Sequence, residues 1–402
     1  MDLSDYLTWR ACGSLARSRC TVSCKWTYNG GLAKARLDSS QGIAPTGWDE
    51  VFFRDIGLGD IVEEGFRRLG TEIAELGSSV GTLSEEAATK LGLEAGIIAA
   101  SPVVDAHAGG LGLLAAQPDN VKGTELDFSK RLAILAGTSG CHMAVSQENT
   151  RIPGIWGPYY SSLIPGLWLH EGGQSSFGSL IDHIILSHSA TASLAQKAEL
   201  TDRREILKEV FYQLNGELSR LAEVAQTPAC HLTKNIHCLP YFLGNRSPRA
   251  DPTLTGTMTG LTLHSPESVT HLALAYYSAL QALCYGTRHI IETMNLSGYA
   301  IQCLLASGGI TCNPLFVKEL CDITGCAVAV CPSQAMFVGT AVLSSVAAGV
   351  HTSVPNAMRS MNKVSSVHYP SDENKAYHDR KYRVFMAMYE HDMQYRAIME
   401  EG

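Results

Sequence analysis

Residues 96–116 read GIIAASPVVDAHAGGLGLLAA and contain the change of pattern that decides the fold. Residues 96–104 form a largely apolar run with glycine and proline at its limits, which predicts a short buried β-strand. Asp105 follows directly, and the alanine- and glycine-rich residues after it predict the start of a helix. A buried strand that leads through a polar turn into a helix is typical of an α/β protein.

Three further apolar runs have a related arrangement. Residues 131–136 end at Gly-Thr-Ser-Gly, residues 301–306 end at Ser-Gly-Gly, and residues 326–331 end at Pro-Ser. Helices are expected after the last two runs, with Asn313 capping one helix and Ser333 capping the other. We therefore predict a mixed α/β chain in which the first three of these strands each end in a loop that carries glycine or aspartate.

The remaining segments are predicted to be mostly helical. Residues 1–30, the opening segment, are predicted to contain no strand and to begin with a helix that Asp2 or Ser4 caps and Gly13 stops. Residues 31–46 are polar and rich in glycine, which predicts a loop. Short helices are expected at 47–58, 61–70 and 84–93, the last of them starting at Ser84. Long amphipathic helices are expected within 199–226, 266–294 and 373–400.

The length, net charge and apolar content of the chain limit the classes of protein to which it can belong. A chain of 402 residues with 45% hydrophobic residues is long enough for two or three domains. Its net charge of −8 leaves no basic footprint for nucleic acid. The most apolar segment, residues 335–350, is short and rich in glycine, alanine and serine, so no membrane span is expected. The sequence indicates no particular oligomeric state.

The twelve cysteines are interpreted as reduced core residues of a cytoplasmic protein. No Cys-x-x-Cys pair occurs, and the closest spacings, such as Cys20 to Cys24, enclose no histidine. His142 follows a cysteine, but no matching second pair is found. No metal site is therefore predicted from the cysteine and histidine spacing.

Two glycine-bearing strand ends are candidates for phosphate binding. They lie at residues 136–140 and 307–313. Glycine lets the backbone approach phosphate oxygens, and the start of a following helix offers unpaired N–H groups and a positive dipole end. Each turn alone is weak evidence, because glycine at a strand end is often only a turn. Together with a strand-end aspartate, they favour a nucleotide-binding α/β protein.

Asp105 is the sharpest candidate for a catalytic residue. A carboxylate at the end of a buried strand can lie in a cleft and accept a proton from a reacting hydroxyl group, as phosphoryl transfer requires. The same position is also suited to capping the following helix. Spacing alone leaves both interpretations open. A second glycine-rich run, residues 55–59, is interpreted as a helix end, because the residues before it are amphipathic rather than strand-like.

Residues 103–112, VVDAHAGGLG, resemble the catalytic-base motif of the FGGY carbohydrate kinases, in the ribulokinase-like branch as found in animals. The resemblance extends in order from Asp2 to the C-terminal helix. The other matching segments are 136–143 (second phosphate motif), 156–159, 165–168 and 171–175 (segment beside the sugar cleft), 242–252 (Gly-x-Arg-x-Pro signature) and 307–314 (adenosine motif).

This resemblance implies the actin-like, ribonuclease H-like fold, with two α/β lobes that hold ATP and a sugar. The resemblance also implies an activity, which would be ATP-dependent phosphorylation of a ketopentose such as D-ribulose, with Mg²⁺ bridging phosphate oxygens. Asp105 would be the catalytic base. The implied nucleotide-binding residues are Gly137, Thr138, Gly308, Gly309 and Asn313. The implied residues on the sugar side are Gln174 and Arg246.

The sequence also departs from the family pattern. The family opens with a strand and an Asp-x-Gly-Thr phosphate loop, whereas this sequence starts with a helix that matches a later part of the first lobe. Residues 1–127 are therefore expected to be an incomplete first lobe and residues 128–402 a whole nucleotide-binding lobe. We expect a weak or inactive kinase on this ground, and the alternative is a nucleotide-binding protein with a regulatory role. An actin- or chaperone-like ATPase shares the fold but would not need residues 245–248.

Overall fold

A computed structural model describes residues 1–31, 47–117, 127–199 and 201–401. The chain forms two compact units that are interleaved along the sequence. The first unit comprises Met1–Leu135, Met143–Glu171 and Cys331–Ser365, and the second comprises Ala136–His142, Gly172–Val330 and Ser366–Gly402. The lobe boundary at residue 127 stays a prediction, and the predicted loop at 31–46 lies outside the described residues except for its first position.

The first unit contains short helices and mostly short strands. Its helices are α1 (Leu3–Cys12), α2 (Arg19–Trp26), α3 (Glu50–Asp55), α4 (Gly59–Glu63), α5 (Glu85–Leu91), α6 (Asp105–Leu111), α12 (Ala335–Ala347) and α13 (Val354–Met361). Its strands are β1 (Arg17–Ser18), β2 (Ile73–Ala74), β3 (Ser79–Thr82), β4 (Ile98–Ala100), β5 (Arg131–Ala136), β6 (Gly140–Ser146), β7 (Trp156–Tyr160) and β8 (Trp168–Gln174). Strand β5 ends, β6 begins and β8 ends in residues of the second unit.

The second unit contains the long helices. Its helices are α7 (Gly178–Ser187), α8 (Ser189–Lys197), α9 (Arg203–Ala225), α10 (Val269–Asn295), α11 (Pro314–Thr324) and α14 (Lys375–Met399). Its strands are β9 (His237–Leu239), β10 (Thr257–Thr259), β11 (Cys303–Ser307), β12 (Ala327–Val330) and β13 (Ser366–His368). Short 3₁₀ helices are Phe128–Lys130 in the first unit and Ala229–Thr233, Gly309–Cys312 and Asp372–Asn374 in the second.

Strand pairing differs between the units. In the first unit β1 is parallel to β2, β3 is antiparallel to β4, and β5, β6, β8 and β7 are neighbours in that order. In the second unit β11 is parallel to β12, with Leu305 opposite Ala329, and β12 is antiparallel to β13. A parallel pair needs a crossover, and helix α11 supplies it between β11 and β12.

Helix α6, which begins at Asp105, lies against α12 through main-chain contacts. A Cβ atom added at Gly339 would lie 1.7 Å from the carbonyl oxygen of Ala108, and one added at Gly112 would lie 2.0 Å from that of Ala335. Real Cβ atoms do not approach this closely, so both positions require glycine. Asn362 donates a hydrogen bond of 3.0 Å to the Leu111 carbonyl at the end of α6.

An aromatic cluster forms a second core of the first unit. The Trp48 ring stacks on Phe66 with 5.6 Å between ring centroids, and Phe53 meets both rings edge to face. The indole N–H of Trp48 donates to the Gly70 carbonyl at 3.1 Å, which satisfies its buried polar atom. Aromatic pairs of this geometry add stabilisation beyond their buried area.

Helix α10 is the core of the second unit, because most of its residues are buried. Buried polar groups accompany it. The Glu319 carboxylate, 2% exposed, accepts hydrogen bonds from the Tyr277 hydroxyl at 2.7 Å and the Gln281 amide at 3.1 Å. Burial nevertheless raises the pKa of Glu319 to about 7. A buried charge is costly, so the carboxyl group holds its proton more tightly than it does in water.

Most of the predicted elements are confirmed. Asp2 caps α1 and Gly13 ends it, Ser84 caps α5, and residues 55–59 follow a helix end. Asn313 caps α11, with Pro314 at its first position. The strand 131–136 has the predicted bounds.

Four expectations are wrong. The buried strand predicted at 96–104 is only β4, and its Ile98 is 41% exposed, because Pro102 lacks the N–H that a longer ladder needs. The helix after β12 has Gln334 at its N-cap without a side-chain hydrogen bond, so Ser333 is not its cap. The two-residue strand β1 lies within the opening segment. Helix α4 is shorter than predicted, since the turn after it contains Gly65 with a positive φ of 68°.

Among the residues that the structure describes, no helix has the length and apolarity needed to cross a membrane.

We predict that Gly339→Ala lowers the free energy of unfolding by about 1–3 kcal/mol, because the added methyl group collides with the Ala108 carbonyl. Gly216→Ala is the matched control, since Gly216 lies in α9 and its added Cβ meets nothing within 4 Å. The control should be neutral or slightly stabilising because alanine has the higher helix propensity. Thermal and urea unfolding measure both variants. Equal stability of Gly339→Ala and the wild type would contradict the close packing of α6 on α12.

We predict that Glu319 makes the second unit less stable as the pH rises between 4.5 and 7. The pKa of this carboxyl is raised from 4.5 to about 7, so within this window the folded state binds the proton and the unfolded chain releases it. The free energy of unfolding therefore falls with rising pH, by on the order of 3 kcal/mol, and the loss is complete above pH 7.

Glu319→Gln removes this titration, so the melting temperature of the variant relative to wild type should rise between pH 5 and pH 8. Comparison at two pH values separates this effect from the constant cost of altering the hydrogen bonds. Glu390→Gln, at an exposed position of α14, is the control and should show no such change. A difference that does not depend on pH would contradict the raised pKa of Glu319.

Candidate active site

A cleft of about 700 Å³ opens on the second unit, and we call it the second-unit cleft. Its volume lies within the roughly 300–1,000 Å³ typical of small-molecule sites. It lies where β5 and β11 end and where α7, α9 and α11 pass. Its lining residues are Ala136, Gly137, Thr138, Gly178, Ser179, Ile181, Asp182, Leu207, Lys208, Phe211, Tyr212, Asn215, Gly309, Ile310, Cys312, Asn313 and Pro314.

The turn after β5 is fixed to the start of α7. The Gly137 carbonyl accepts a hydrogen bond from the Gly178 N–H at 3.0 Å. The Thr138 carbonyl accepts hydrogen bonds from the Phe177 N–H at 2.9 Å and from the Ser179 hydroxyl at 2.9 Å. Gly137 and Thr138 are both exposed on the cleft side. The turn thus has a fixed backbone and no bulky side chain, which suits a close approach by a ligand.

The turn after β11 approaches the turn after β5 closely. Gly308 has a φ of +129°, and a Cβ atom there would lie 2.2 Å from the Ala136 carbonyl oxygen. Both facts require glycine at this position. Gly309 differs, because an added Cβ would meet nothing within 4 Å. Gly309 lines the cleft directly, whereas Gly308 allows the two turns to meet.

Asn313 belongs to a closed ring of hydrogen bonds. Its amide donates to the Tyr276 hydroxyl at 2.5 Å, this hydroxyl donates to Asn215 Oδ1 at 3.2 Å, and the Asn215 amide donates to Asn313 Oδ1 at 2.9 Å. The same oxygen also accepts the Leu315 N–H at 3.1 Å as the cap of α11. Asn313 therefore holds α9, α10 and α11 in position, and its side-chain oxygen already accepts two hydrogen bonds.

The walls of the cleft combine apolar and polar groups. Phe211 and Ile310 contribute apolar surface, and Phe211 lies 5.8 Å from the Tyr276 ring between centroids. Lys208 supplies an exposed positive charge. Burial raises the pKa of Asp182 above its ordinary value, and Arg203 Nη2, 3.9 Å from its carboxylate, only partly offsets this. Apolar walls with a few polar groups are typical of a nucleotide or drug-sized ligand site.

Asp105 is the first residue of α6 in the first unit, and its carboxylate is exposed. Val104 occupies the N-cap position without a side-chain hydrogen bond. Asp105 Oδ1 accepts the Ala106 N–H at 2.7 Å. Asp105 is therefore not the side-chain cap that one interpretation predicted, and its second carboxylate oxygen has no hydrogen bond among the described residues.

His107, two positions after Asp105 in α6, is buried among polar side chains that sequence reasoning did not bring together. Its Nδ1 lies 3.1 Å from Cys20 Sγ and 3.9 Å from Cys24 Sγ, and its Nε2 lies 3.1 Å from Glu171 Oε2. Burial opposes ionisation of both Cys20 and His107. Their mutual attraction, with hydrogen bonds from Cys24 and to Glu171, outweighs burial, so the pKa of Cys20 is lowered and the pKa of His107 is raised.

Gln174 and Arg246, the predicted sugar-side residues, lie in the second unit. Gln174 is buried, and its amide donates to the Leu283 carbonyl at 3.0 Å and to the Thr287 hydroxyl at 3.1 Å. The half-buried Arg246 side chain passes over Gly173, where an added Cβ would lie 3.2 Å from Arg246 Cδ. Gln174 therefore binds the end of β8 that lies in the second unit to α10, and Arg246 lies beside the same end.

The structure thus brings together five predicted nucleotide residues. Gly137, Thr138, Gly309 and Asn313 line the second-unit cleft, and Gly308 lies next to it. Sequence reasoning missed the contributions of α7 and α9, because the lining residues of these helices carry no motif. A fixed glycine turn, helix ends and a mainly apolar cleft are typical of a nucleotide-binding α/β protein.

Comparison with known proteins gives the family. The model of the C-terminal domain of the FGGY family of carbohydrate kinases matches residues 132–348, more than half of the chain. The FGGY carbohydrate kinase domain-containing protein of Homo sapiens is 42% identical over 407 residues, which cover 100% of this chain and 69% of the human protein. The D-ribulokinase of Saccharomyces cerevisiae is 34% identical over 86% of this chain and 49% of its own length. The chain belongs to the FGGY family of carbohydrate kinases, which are phosphotransferases that use ATP.

Solved structures show the same fold. A xylulose kinase from Rhodospirillum rubrum superposes with a TM-score of 0.66 at 22% identity, over 97% of this chain and 67% of that one. A glycerol kinase from Plasmodium falciparum, crystallised with ADP, has a TM-score of 0.64 at 13% identity, over 96% of this chain and 66% of that one. The predicted actin-like sugar-kinase fold is confirmed.

We predict that Gly309→Val weakens ADP binding at least about tenfold without lowering the melting temperature. The added side chain has open space and an unstrained backbone, yet it enters the cleft where a ligand would lie. Isothermal titration with ADP measures the affinity, and tenfold corresponds to about 1.4 kcal/mol. Gly216→Ala, outside the cleft, should bind ADP as the wild type does. Undiminished binding by Gly309→Val would contradict the second-unit cleft as the nucleotide site.

Proposed function

We propose that this chain transfers the γ-phosphoryl group of ATP to a hydroxyl of a ketopentose such as D-ribulose. The observation that carries the substrate class is the 34% identity with the yeast D-ribulokinase, together with matches to bacterial ribulokinases. Both kinds of relative act on a five-carbon ketose by name, and the resemblance in residues 103–112 lies within the matched region.

The second-unit cleft suits the nucleotide. The exposed turn at Gly137 and Thr138 would face the phosphates, because a backbone without bulky side chains lets phosphate oxygens come close. Gly308 and Gly309 would lie beside the adenosine. Asn313 acts indirectly in this proposal, since its hydrogen bonds fix α9 and α11 rather than reach a ligand.

Mg²⁺ supplies charge neutralisation on the transferring phosphates when it is bound with ATP. Mg²⁺ in such sites binds one or two carboxylates together with phosphate oxygens and water. Asp182 is the carboxylate that lines the second-unit cleft, so it fits a direct or water-mediated contact to the ion. Lys208, on the same cleft, would stabilise the negative charge of the phosphates.

Asp105 would act as the general base. As the sugar oxygen forms its bond to the γ-phosphorus and the bond to ADP breaks, the hydroxyl proton passes to the Asp105 carboxylate. An exposed carboxylate oxygen without a hydrogen bond in the described structure is available for this proton. The anchoring of α6 on α12 holds the base in place. Positioning and electrostatics supply most of the rate enhancement in phosphoryl transfer, and a general base adds to them.

Residues near Gly173 would form the sugar side. The Arg246 guanidinium supplies a charge and several donors for hydroxyl groups, whereas Gln174 would position β8 through its bonds to α10. The assignment of residues 1–127 and 128–402 to the two lobes, and a cytoplasmic location, belong to the same proposal. The twelve free cysteines are consistent with a reducing compartment.

We predict that Asp105→Asn lowers sugar-dependent ADP formation at least about a hundredfold and leaves ADP affinity unchanged, since the amide cannot accept the proton. The assay follows ADP formation from Mg-ATP with ketopentoses, pentitols and glycerol. Glu94→Gln, at another exposed carboxylate of the first unit, is the control and should keep full activity.

Each outcome decides between the candidate functions. Retained activity in Asp105→Asn would exclude Asp105 as the base. Activity with glycerol but not with ketopentoses would exclude the proposed substrate class. A folded wild-type chain that binds ADP but shows no sugar-dependent turnover would agree with the inactive kinase expected from the sequence and favour the alternative of a nucleotide-binding protein with a regulatory or binding role.

A further inference from the structure

Three groups with metal-binding chemistry meet in the first unit. Cys20 and Cys24 lie four positions apart on α2, so both side chains lie on one face of the helix. His107 comes from α6 and is 1% exposed. The two sulfur atoms and one imidazole nitrogen all lie within 4.8 Å of one another.

We propose that Cys20, Cys24 and His107 bind a thiophilic divalent cation of the zinc class, with Glu171 orienting the histidine. Two thiolates and one imidazole are a ligand set that zinc prefers. This proposal does not depend on kinase activity, because it concerns only the affinity of the first unit for a metal ion.

The distances fit a tetrahedral ion. Metal–sulfur and metal–nitrogen bonds of about 2.3 and 2.0–2.1 Å place a sulfur and a nitrogen about 3.5 Å apart in a tetrahedron. The His107 Nδ1 lies 3.1 Å from Cys20 Sγ and 3.9 Å from Cys24 Sγ, which bracket that separation. Both separations between sulfur and nitrogen therefore lie within about 0.4 Å of the tetrahedral value.

Glu171 orients the His107 ring as a metal ligand would require. The carboxylate lies 3.1 Å from His107 Nε2 and accepts a hydrogen bond from the N–H there, so in the neutral ring the lone pair lies on Nδ1, which faces the two sulfur atoms. Carboxylate–histidine–metal chains of this kind orient the ring and raise its basicity. Binding of a divalent cation would release the thiol protons of Cys20 and Cys24 to solvent, and the two resulting thiolates would neutralise the charge of the ion.

Water would supply the fourth ligand of the ion. The Glu171 side chain is 13% exposed and Cys24 is half-buried, so water reaches the edge of the group. Three protein ligands and one water are a common zinc arrangement. The ion would join α2 to α6, and Asp105 is two positions from one ligand.

A histidine group in the second unit is a weaker candidate. His188, His264 and His271 also place nitrogen atoms within 4.8 Å of one another. However, His188 Nδ1 accepts the Ala190 N–H at 3.2 Å, so its Nε2 carries the proton when the ring is neutral. That nitrogen has no lone pair for a metal unless the helix cap is broken.

The test is a Co²⁺ titration of the full chain, purified under reducing conditions without chelator. Cobalt bound by two thiolates gives a near-ultraviolet charge-transfer band and tetrahedral visible bands, and Zn²⁺ added afterwards should remove both. We expect saturation at one equivalent, and Zn²⁺ should raise the melting temperature because it binds the folded state.

Variants locate the site. Cys20→Ser and Cys24→Ser should each abolish the charge-transfer band at one equivalent of cobalt, whereas Cys12→Ser, a half-buried thiol of the same unit, should keep it. Glu171→Gln keeps all three ligands and should weaken binding about 10- to 100-fold. Circular dichroism checks that each variant is folded.

The wild-type measurement alone can overturn the proposal, whichever variants fold. A folded, reduced chain without a cobalt–thiolate band, or without competition by Zn²⁺, excludes the site. A Cys20–Cys24 disulfide found by peptide mass spectrometry in protein kept under reducing conditions would also exclude it. An unchanged band in both Cys20→Ser and Cys24→Ser would move the metal to other residues.

Discussion

Helix α6 lies so close to helix α12 that the backbone carbonyl of Ala108 occupies the space of a side chain at position 339. Main-chain atoms have no alternative rotamers, so this contact fixes α6 more firmly than packing of long side chains would. Two groups of different chemistry depend on it. Asp105 begins the helix at the surface, and His107 enters the interior beside Cys20. The position of this one short helix therefore determines both where the Asp105 carboxylate lies and which side chains surround His107.

The second unit achieves a similar rigidity with hydrogen bonds. The ring of Asn215, Asn313 and Tyr276 connects three helices around the second-unit cleft, and each member donates one bond and accepts one. Burial raises the pKa of Tyr276, so the hydroxyl remains a donor. Further inside, Glu319 forms a comparable network with Tyr277 and Gln281. The two asparagines that line the cleft are therefore already paired, and ligand binding need not reorganise them.

Sequence patterns predicted those parts of the fold that depend on interactions between residues close in sequence. The cap of α11 at Asn313 and the glycine turn after β5 are confirmed, because capping and turn formation need only neighbouring residues. The strand at 96–104 was over-predicted, since apolar character does not reveal whether a neighbouring strand continues the ladder. The lining residues of α9 and the approach of His107 to Cys20, 87 positions away, had no local signal. Cysteine spacing argued against a metal because the third ligand is distant in sequence. The roles of Gln174, Arg246, Asp105 and the five predicted nucleotide-binding residues stay predictions.

The meeting of Gly308 with the Ala136 carbonyl has a consequence for inherited variation. Every single-base missense change in a glycine codon introduces a residue with a Cβ atom, whether small or large, polar or apolar. At position 308 all of these replacements encounter the same carbonyl oxygen and the same unfavourable φ of +129°. Scales that rank substitutions by chemical similarity would grade alanine or serine here as mild. The backbone geometry instead places every missense allele of this codon in one class, in which the turns after β5 and β11 can no longer meet.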